Sequence, residues 1–180
     1  MAGPLDGVRV VDLTTVLMGP YATQILGEYG AEVIKVEAPD GDLVRNLGPS
    51  RNAGMGAVFL NTNRAKQSIA INLKSEQGQA LIQRLLSKAD VFVTNVRPHA
   101  LHKLGLGAEV LTAQFPQLIC ANLVGYDQRG PYAGRPAYDD LMQGGSGFAD
   151  LMARASGGIP RYAPNAMADR VVGLSAVGAV

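Results

Sequence analysis

Two short valine-rich runs, set either side of a helical stretch, limit the folds open to this chain more than any other feature. Val8-Arg9-Val10-Val11-Asp12-Leu13 is the first and Glu32-Val33-Ile34-Lys35-Val36-Glu37 the second. Apolar runs of this length and composition fit strands covered on both faces of a sheet. Between them, Gly19-Pro20 suits the opening turn of a helix, where proline's missing N–H leaves no bond unmade. Ala22, Ile25 and Leu26 follow at helical spacing, and Gly30 supplies a stop. Strand, helix and strand in this order form a βαβ unit, which is parallel and almost always right-handed.

The alternation continues. Gln67 to Leu73 reads as a strand from the spacing of Ile69 and Ile71. Ser75 is placed to cap a helix running to Lys88, with Ala80, Leu81, Leu85 and Leu86 on one face. Val91-Phe92-Val93 and Leu118 to Val124 read as further strands, with short helices after Pro98 and over Glu109 to Phe115. Ala38 to Gly56, Gly125 to Ala137 and Gly157 to Pro164 read as loops. Tyr138 to Phe148 has a helical pattern weakened by glycines, and Asp169 opens the last helical segment. The pattern predicts an α/β domain with a mostly parallel sheet and flanking helices. Ligands of such sheets bind outside the carboxyl ends of the strands. Here that rim carries Thr14 to Met18, Ala38-Pro39, Asn95-Val96-Arg97 and Gly125-Tyr126.

Composition narrows the partners. The 180 residues are 47% apolar and 17% charged, enough for one domain with its own core. A net charge of +1 gives no broad basic face, so nucleic acid is not a natural partner. The single cysteine, Cys120, rules out a disulfide framework within the chain and fits a cytoplasmic setting. No apolar run approaches the ~20 residues of a membrane span, and the start lacks the pattern of a signal peptide. The apolar run Arg170 to Val180 has no stop signal, which predicts the front part of a longer protein cut inside a helix; a short buried terminal helix is the alternative.

Several chemistries lack their motifs. There is no G-x-x-x-x-G-K-[ST], and Gly54-Met55-Gly56 lacks the rest of a dinucleotide fingerprint. His99 and His102 have no cysteine or acid cluster at metal-ligand spacing, and Gly145-Ser146-Gly147 is not a nucleophile elbow. What remains is Asp169, just ahead of an apolar helix. It reads either as that helix's N-cap or as a carboxylate nucleophile whose ionised form the helix dipole favours. The two readings are compatible.

A family resemblance rests on motifs in register along the chain. They are Val10-Val11-Asp12-Leu13-Thr14 with Gly19-Pro20, Gly30-Ala31-Glu32-Val33-Ile34-Lys35-Val36-Glu37, Leu60-Asn61-Thr62-Asn63-Arg64, Ser68-Ile69-Ala70-Ile71-Asn72-Leu73-Lys74 and Asn95-Val96-Arg97-Pro98. Gly105-Leu106-Gly107, Pro116-Gln117-Leu118-Ile119, Gly130-Pro131-Tyr132 and Arg135-Pro136-Ala137-Tyr138-Asp139 continue the series. Together they resemble the front of the family III CoA-transferases, the carnitine dehydratase and bile-acid-inducible family. The resemblance implies a Rossmann-like large domain, a smaller domain built from later sequence, and an interlinked homodimer. It implies no permanently bound cofactor, with coenzyme A and acyl-CoA as substrates. Asp169 falls on the family's catalytic aspartate, which forms a mixed anhydride with the donor acyl group and then a thioester with CoA.

The family's CoA contacts fall on Leu17, Met18, Ala38, Ile71, Asn72, Leu73, Lys74, Asn95, Val96, Arg97, Lys103, Pro136, Ala137, Tyr138 and Asp139. Formyl-CoA transferases carry glutamine at the position of Leu17 and arginine at that of Ala38, so an oxalate-like substrate fits poorly. Arg97, Lys103 and Lys74 are left to meet the phosphates. The α-methylacyl-CoA racemases share the fold but place a histidine near Tyr138, and this chain has none after His102. A CoA-linked dehydratase or lyase is a further alternative, and a non-catalytic CoA-binding domain is the reading from another class.

Overall fold

In the computed structural model, which describes residues 3–180, the valine-rich runs lie side by side in the middle of one sheet. Its strands are β1 (Arg9–Leu13), β2 (Glu32–Glu37), β3 (Lys66–Ala70), β4 (Val91–Thr94) and β5 (Ile119–Asn122). They pair in the order β3-β2-β1-β4-β5, every pairing parallel. The chain builds outward from β1 through β2 to β3, then crosses back to start β4 on the other side. The topological switch point therefore lies between β1 and β4, where Val11 stands beside Phe92.

Both faces of the sheet are covered, which is why the central strands read as unbroken apolar runs. Val11, Leu13, Val36 and Phe92 point to one side, against Ile82 and Leu86 of α3 (Glu76–Leu86), Leu101 of α4 (Pro98–Lys103) and Leu111 of α5 (Ala108–Gln114). Val10, Val33, Val91 and Val93 point to the other. They meet Leu26 of α1 (Met18–Glu28), with Ala176 and Val177 of α8 (Met167–Ala179) packed alongside. Each fully buried side chain of this size stabilises the fold by about 1.5–3 kcal/mol relative to exposure.

The structure departs from the sequence pattern in three places. A six-residue helix, α2 (Ala57–Thr62), follows Gly56, and a single tight turn, Leu43–Asn46, interrupts the preceding loop. The third strand ends at Ala70, so Asn72 to Lys74 lie on the connection to α3, where Asn72 Oδ1 accepts from the Lys74 N–H. The glycine-weakened segment breaks into α6 (Asp139–Gly145) and α7 (Phe148–Ser156), with Gly147 at φ +80° between them. Ser75 caps α3 as expected, accepting from the Gly78 N–H at 3.1 Å.

A buried charged network lies beneath the loop after β1. Lys35 Nζ donates to the Thr14 carbonyl at 2.9 Å and to Asp42 Oδ2 at 3.0 Å. Lys66 Nζ donates to Asp12 Oδ2 at 3.0 Å, and to the Pro20 carbonyl and Asn63 Oδ1, both at 2.9 Å. Asp12 also accepts from the Thr14 N–H and hydroxyl and from Thr23 Oγ1. Burial works against the Asp12 carboxylate, but the Lys66 and Lys35 charges and the two threonine hydroxyls outweigh it and hold its pKa low. Burial also takes Lys66 down to about 8, against the pull of Asp12. These contacts tie the first loop and the start of α1 to the sheet.

Candidate active site

The loop between β1 and α1 is clamped from two sides. Val16 sits at φ +70°, a left-handed conformation that β-branched residues avoid. Its N–H donates to Asp42 Oδ1 at 3.2 Å, which helps to hold it there. Thr15 is bound by Asn95, which follows β4. The Thr15 N–H donates to Asn95 Oδ1 at 3.0 Å, and Asn95 Nδ2 donates to the Thr15 carbonyl at 2.8 Å. This bridge spans the switch point and commits much of the Asn95 amide to the loop rather than to a ligand.

Two clefts open on this rim. One, of about 390 Å³, is bordered by Leu17, Met18, Asn95 and Arg97, by Pro136 to Asp139, and by Asp169. The other, of about 250 Å³, lies over the ends of β2 and β3 and is bordered by Ala38, Ile71 to Lys74, and Val96. Thr15 borders both. The fold thus collects nearly all the site residues expected from the sequence along one rim. Lys103 is the exception: it is exposed at the end of α4 and borders none of the clefts described.

Asp169 stands in the first turn of α8, not at its cap; the capping position is Ala166. The helix reaches this place because Gly173, one turn on, packs against α1. A β-carbon there would lie 2.9 Å from the Met18 carbonyl oxygen and 3.0 Å from the Tyr21 ring. Gly173→Ala gains about 0.5–1 kcal/mol of helix propensity, but overpacking costs about 1–3 kcal/mol. We expect a net loss of about 1 kcal/mol in chemical denaturation, with α8 pushed off α1 and Asp169 carried with it.

A hydrogen-bonded chain fixes the start of α8. The Asp169 N–H donates to Asp139 Oδ1 at 3.0 Å, so the first residue of α6 caps α8. Asp139 Oδ2 accepts from Gln143 Nε2 at 2.6 Å. Gln143, only 4% exposed, also binds the Ala163 N–H at 2.7 Å and the Asn165 carbonyl at 3.3 Å. The Asp169 carboxylate, by contrast, accepts no hydrogen bond among the described residues, and it is half-buried. Burial, and then the neighbouring Asp139 charge, push its pKa above the ordinary aspartate value. The net shift is thus upward, opposite in direction to the effect expected from the helix dipole alone. A carboxylate so placed, with no donor to quiet its lone pairs, is a reactive nucleophile once deprotonated.

The dependence on Asp139 has a testable sign. Asp139→Asn keeps an oxygen for the Asp169 N–H and removes the negative charge. The Asp169 pKa then falls, and the acidic limb of any rate that needs its carboxylate moves to lower pH. A limb that stays put in a pH–rate profile would show that Asp139 does not act on Asp169 electrostatically.

Asp169 also borders a third cavity, of about 510 Å³, on the side away from the switch point. Tyr126, Met142, Phe148, Val171 and Val172 line it, with Met18 at the junction. Met18 and Tyr126 were expected on the ligand rim, whereas Met142, Gln143, Phe148, Val171 and Val172 were not singled out as site residues from the sequence. The only hint was the spacing of Asp139 and Gln143 on one helix face, which does not say what they meet.

A family model described as CoA-transferase family III matches residues 5–180. The mouse succinyl-CoA:glutarate CoA-transferase is 42% identical over 178 residues, spanning 98% of this chain and 41% of the mouse protein. The succinate–glutarate CoA-transferase of Agrobacterium fabrum is 41% identical over 184 residues, spanning 98% of this chain and 46% of that protein. A crystal structure of a CAIB/BAIF family protein from Brucella suis superposes with a TM-score of 0.93 at 40% identity, covering 99% of this chain and 48% of that one. The chain therefore spans somewhat under half the length of these relatives.

Proposed function

Because the chain belongs to CoA-transferase family III, we propose that the protein moves coenzyme A from an acyl-CoA thioester to a free carboxylate, with Asp169 as the covalent carrier. The observation that carries this reading is the unpartnered, half-buried carboxylate of Asp169 at the meeting of a polar cleft and an apolar cavity. The carboxylate attacks the donor thioester carbonyl, forming an aspartyl–acyl anhydride and releasing CoA thiolate. The thiolate then attacks the aspartyl carbonyl, which gives an aspartyl-CoA thioester and frees the donor acid. An acceptor carboxylate reverses the two steps, so Asp169 is regenerated and the new acyl-CoA leaves. No separate base is needed once the carboxylate has given up its proton, because the ionised oxygen is itself the nucleophile.

CoA is proposed to lie along the rim, its nucleotide end in the cleft bordered by Ala38 and Ile71 to Lys74. Lys74, Arg97 and Lys103 meet the phosphates from the surface. The pantetheine arm passes Thr15 and Val96 and brings the sulfur to Asp169 beside Leu17 and Met18. Pro136, Ala137 and Tyr138 wall this end, and Asp139 acts by holding α8. Leu17 offers no hydrogen bond to a small polar acyl group, which disfavours an oxalate-like acid.

The described residues form the front part of a larger CoA-binding domain in this reading, and the active unit is a homodimer in the cytoplasm. None of the described helices is long and apolar enough to cross a membrane. The names of the mouse and Agrobacterium relatives support acyl-CoA and carboxylate as the substrate classes.

The test is to incubate the full-length protein with acyl-CoA, quench in acid and map peptides by mass. An acyl or CoA adduct on the peptide holding Asp169 is expected. Saturable CoA binding with no adduct would instead indicate a non-catalytic CoA-binding domain.

A further inference from the structure

The cavity beyond Asp169 differs in character from the cleft on its near side. Its walls are Met18, Tyr126, Met142, Phe148, Val171 and Val172. Among the described residues, no lysine, arginine or histidine borders it. Two guanidiniums on nearby segments lie over aromatic faces: Arg135 stacks on Tyr132 at 4.5 Å and Arg170 on Tyr21 at 5.1 Å. The Gln143 amide, the polar group set deepest in the wall, is engaged by Asp139, Ala163 and Asn165. The two nearby acids, Asp139 and Asp169, add negative charge.

We infer that this cavity receives the tail of the acyl group, and that the protein favours apolar monocarboxylic acids over dicarboxylic acids of equal length. The inference rests on the transferase reading above. Any acceptor must bring one carboxylate to Asp169, so that charge does not discriminate. The far end of the chain does. A methyl terminus loses only water in this cavity, whereas a second carboxylate would be buried without a cation, close to the Asp139 charge, with only the neutral hydroxyls of Tyr126, Tyr132 and Ser146 to receive it. A volume of about 510 Å³ has room for a chain of several carbons.

The experiment compares hexanoate and adipate as acceptors for the full-length protein with one acyl-CoA donor, following each new acyl-CoA chromatographically. Hexanoate is expected to lead in kcat/KM by at least about a hundredfold. Val172→Lys sets an ammonium on the wall and is expected to narrow that ratio at least about tenfold, chiefly by raising adipate turnover. Ser146→Arg places a guanidinium at an exposed helix end bordering the same cavity, and is expected to shift the ratio the same way even if the first variant folds poorly. Transfer that favours adipate, or a ratio unmoved by both variants, overturns the inference and leaves the transferase reading standing. Absence of transfer to any acid, with no adduct on Asp169, overturns both.

Discussion

Asp169→Asn is expected to lower CoA transfer on the order of ten-thousand-fold, the loss seen when a covalent nucleophile is removed from an otherwise intact site. Asparagine fills the same volume, and the backbone N–H that binds Asp139 is unchanged. What is lost is the anionic oxygen that opens the thioester. The substitution is also expected to leave the fold intact, and the sign follows from the pKa. Asp169 is raised above its ordinary value of 3.8 in the folded chain, so it favours the fold while protonated and opposes it once ionised. At neutral pH the asparagine variant should therefore unfold no earlier than the parent. Any advantage shrinks as the pH falls towards the ordinary aspartate range. An inactive variant of undiminished stability separates a chemical role from a structural one; a variant that transfers CoA at the parental rate would remove Asp169 from the chemistry.

Asp12→Ala should be among the most destabilising single changes in the chain, costing about 3–5 kcal/mol. The carboxylate is wholly buried and serves Lys66, Thr14 and Thr23 together. Without it, Lys66 loses its carboxylate partner, the Thr14 hydroxyl loses its acceptor, and the Thr23 hydroxyl is left with the longer bonds to the Gly19 and Pro20 carbonyls. In a domain of this size the loss corresponds to a fall in Tm of roughly 8–15 °C. The pH dependence gives a second check. The Asp12 pKa is depressed, so its contribution is present above the ordinary value of 3.8 and is lost as the pH drops through the lowered one. Variant and parent should converge in acid. A change at the exposed Arg64–Glu28 pair, by comparison, should cost under about 1 kcal/mol. Equal effects at the two sites would contradict the network's role.

The central strands were legible because burial on both faces demands valine and isoleucine without interruption, as in Val10-Val11 and Val33-Ile34. Ser75 and Gly30 announced the ends of their helices by capping chemistry. The short helix at Ala57–Thr62 was not legible: Gly56 caps it without a side-chain bond, and six residues give too few turns to show a period. The strand through Ile69 and Ile71 read too long. Alternation continues one residue past the last strand residue, where the Ile71 N–H still bonds the Glu37 carbonyl at 2.8 Å before the chain turns away.

Without the family resemblance, the candidate site was legible mainly as residue types on strand ends. Asp169 stood out as an isolated acid before an apolar helix, but its cap comes from Asp139, thirty residues away. No local pattern encodes that contact. The roles of Lys35, Lys66 and Asp42 in bracing the first loop depend equally on sheet order, which sets β1, β2 and β3 side by side.

The most direct test of the account follows oxygen through the reaction. If Asp169 carries the acyl group as an anhydride, each completed cycle leaves one acceptor oxygen on its side chain and sends one of its own away with the donor acid. Turnover of the full-length protein with a heavy-oxygen-labelled acceptor should therefore place label in the peptide holding Asp169, and in no other carboxylate. Sustained transfer with that peptide unlabelled would contradict the covalent role assigned to it.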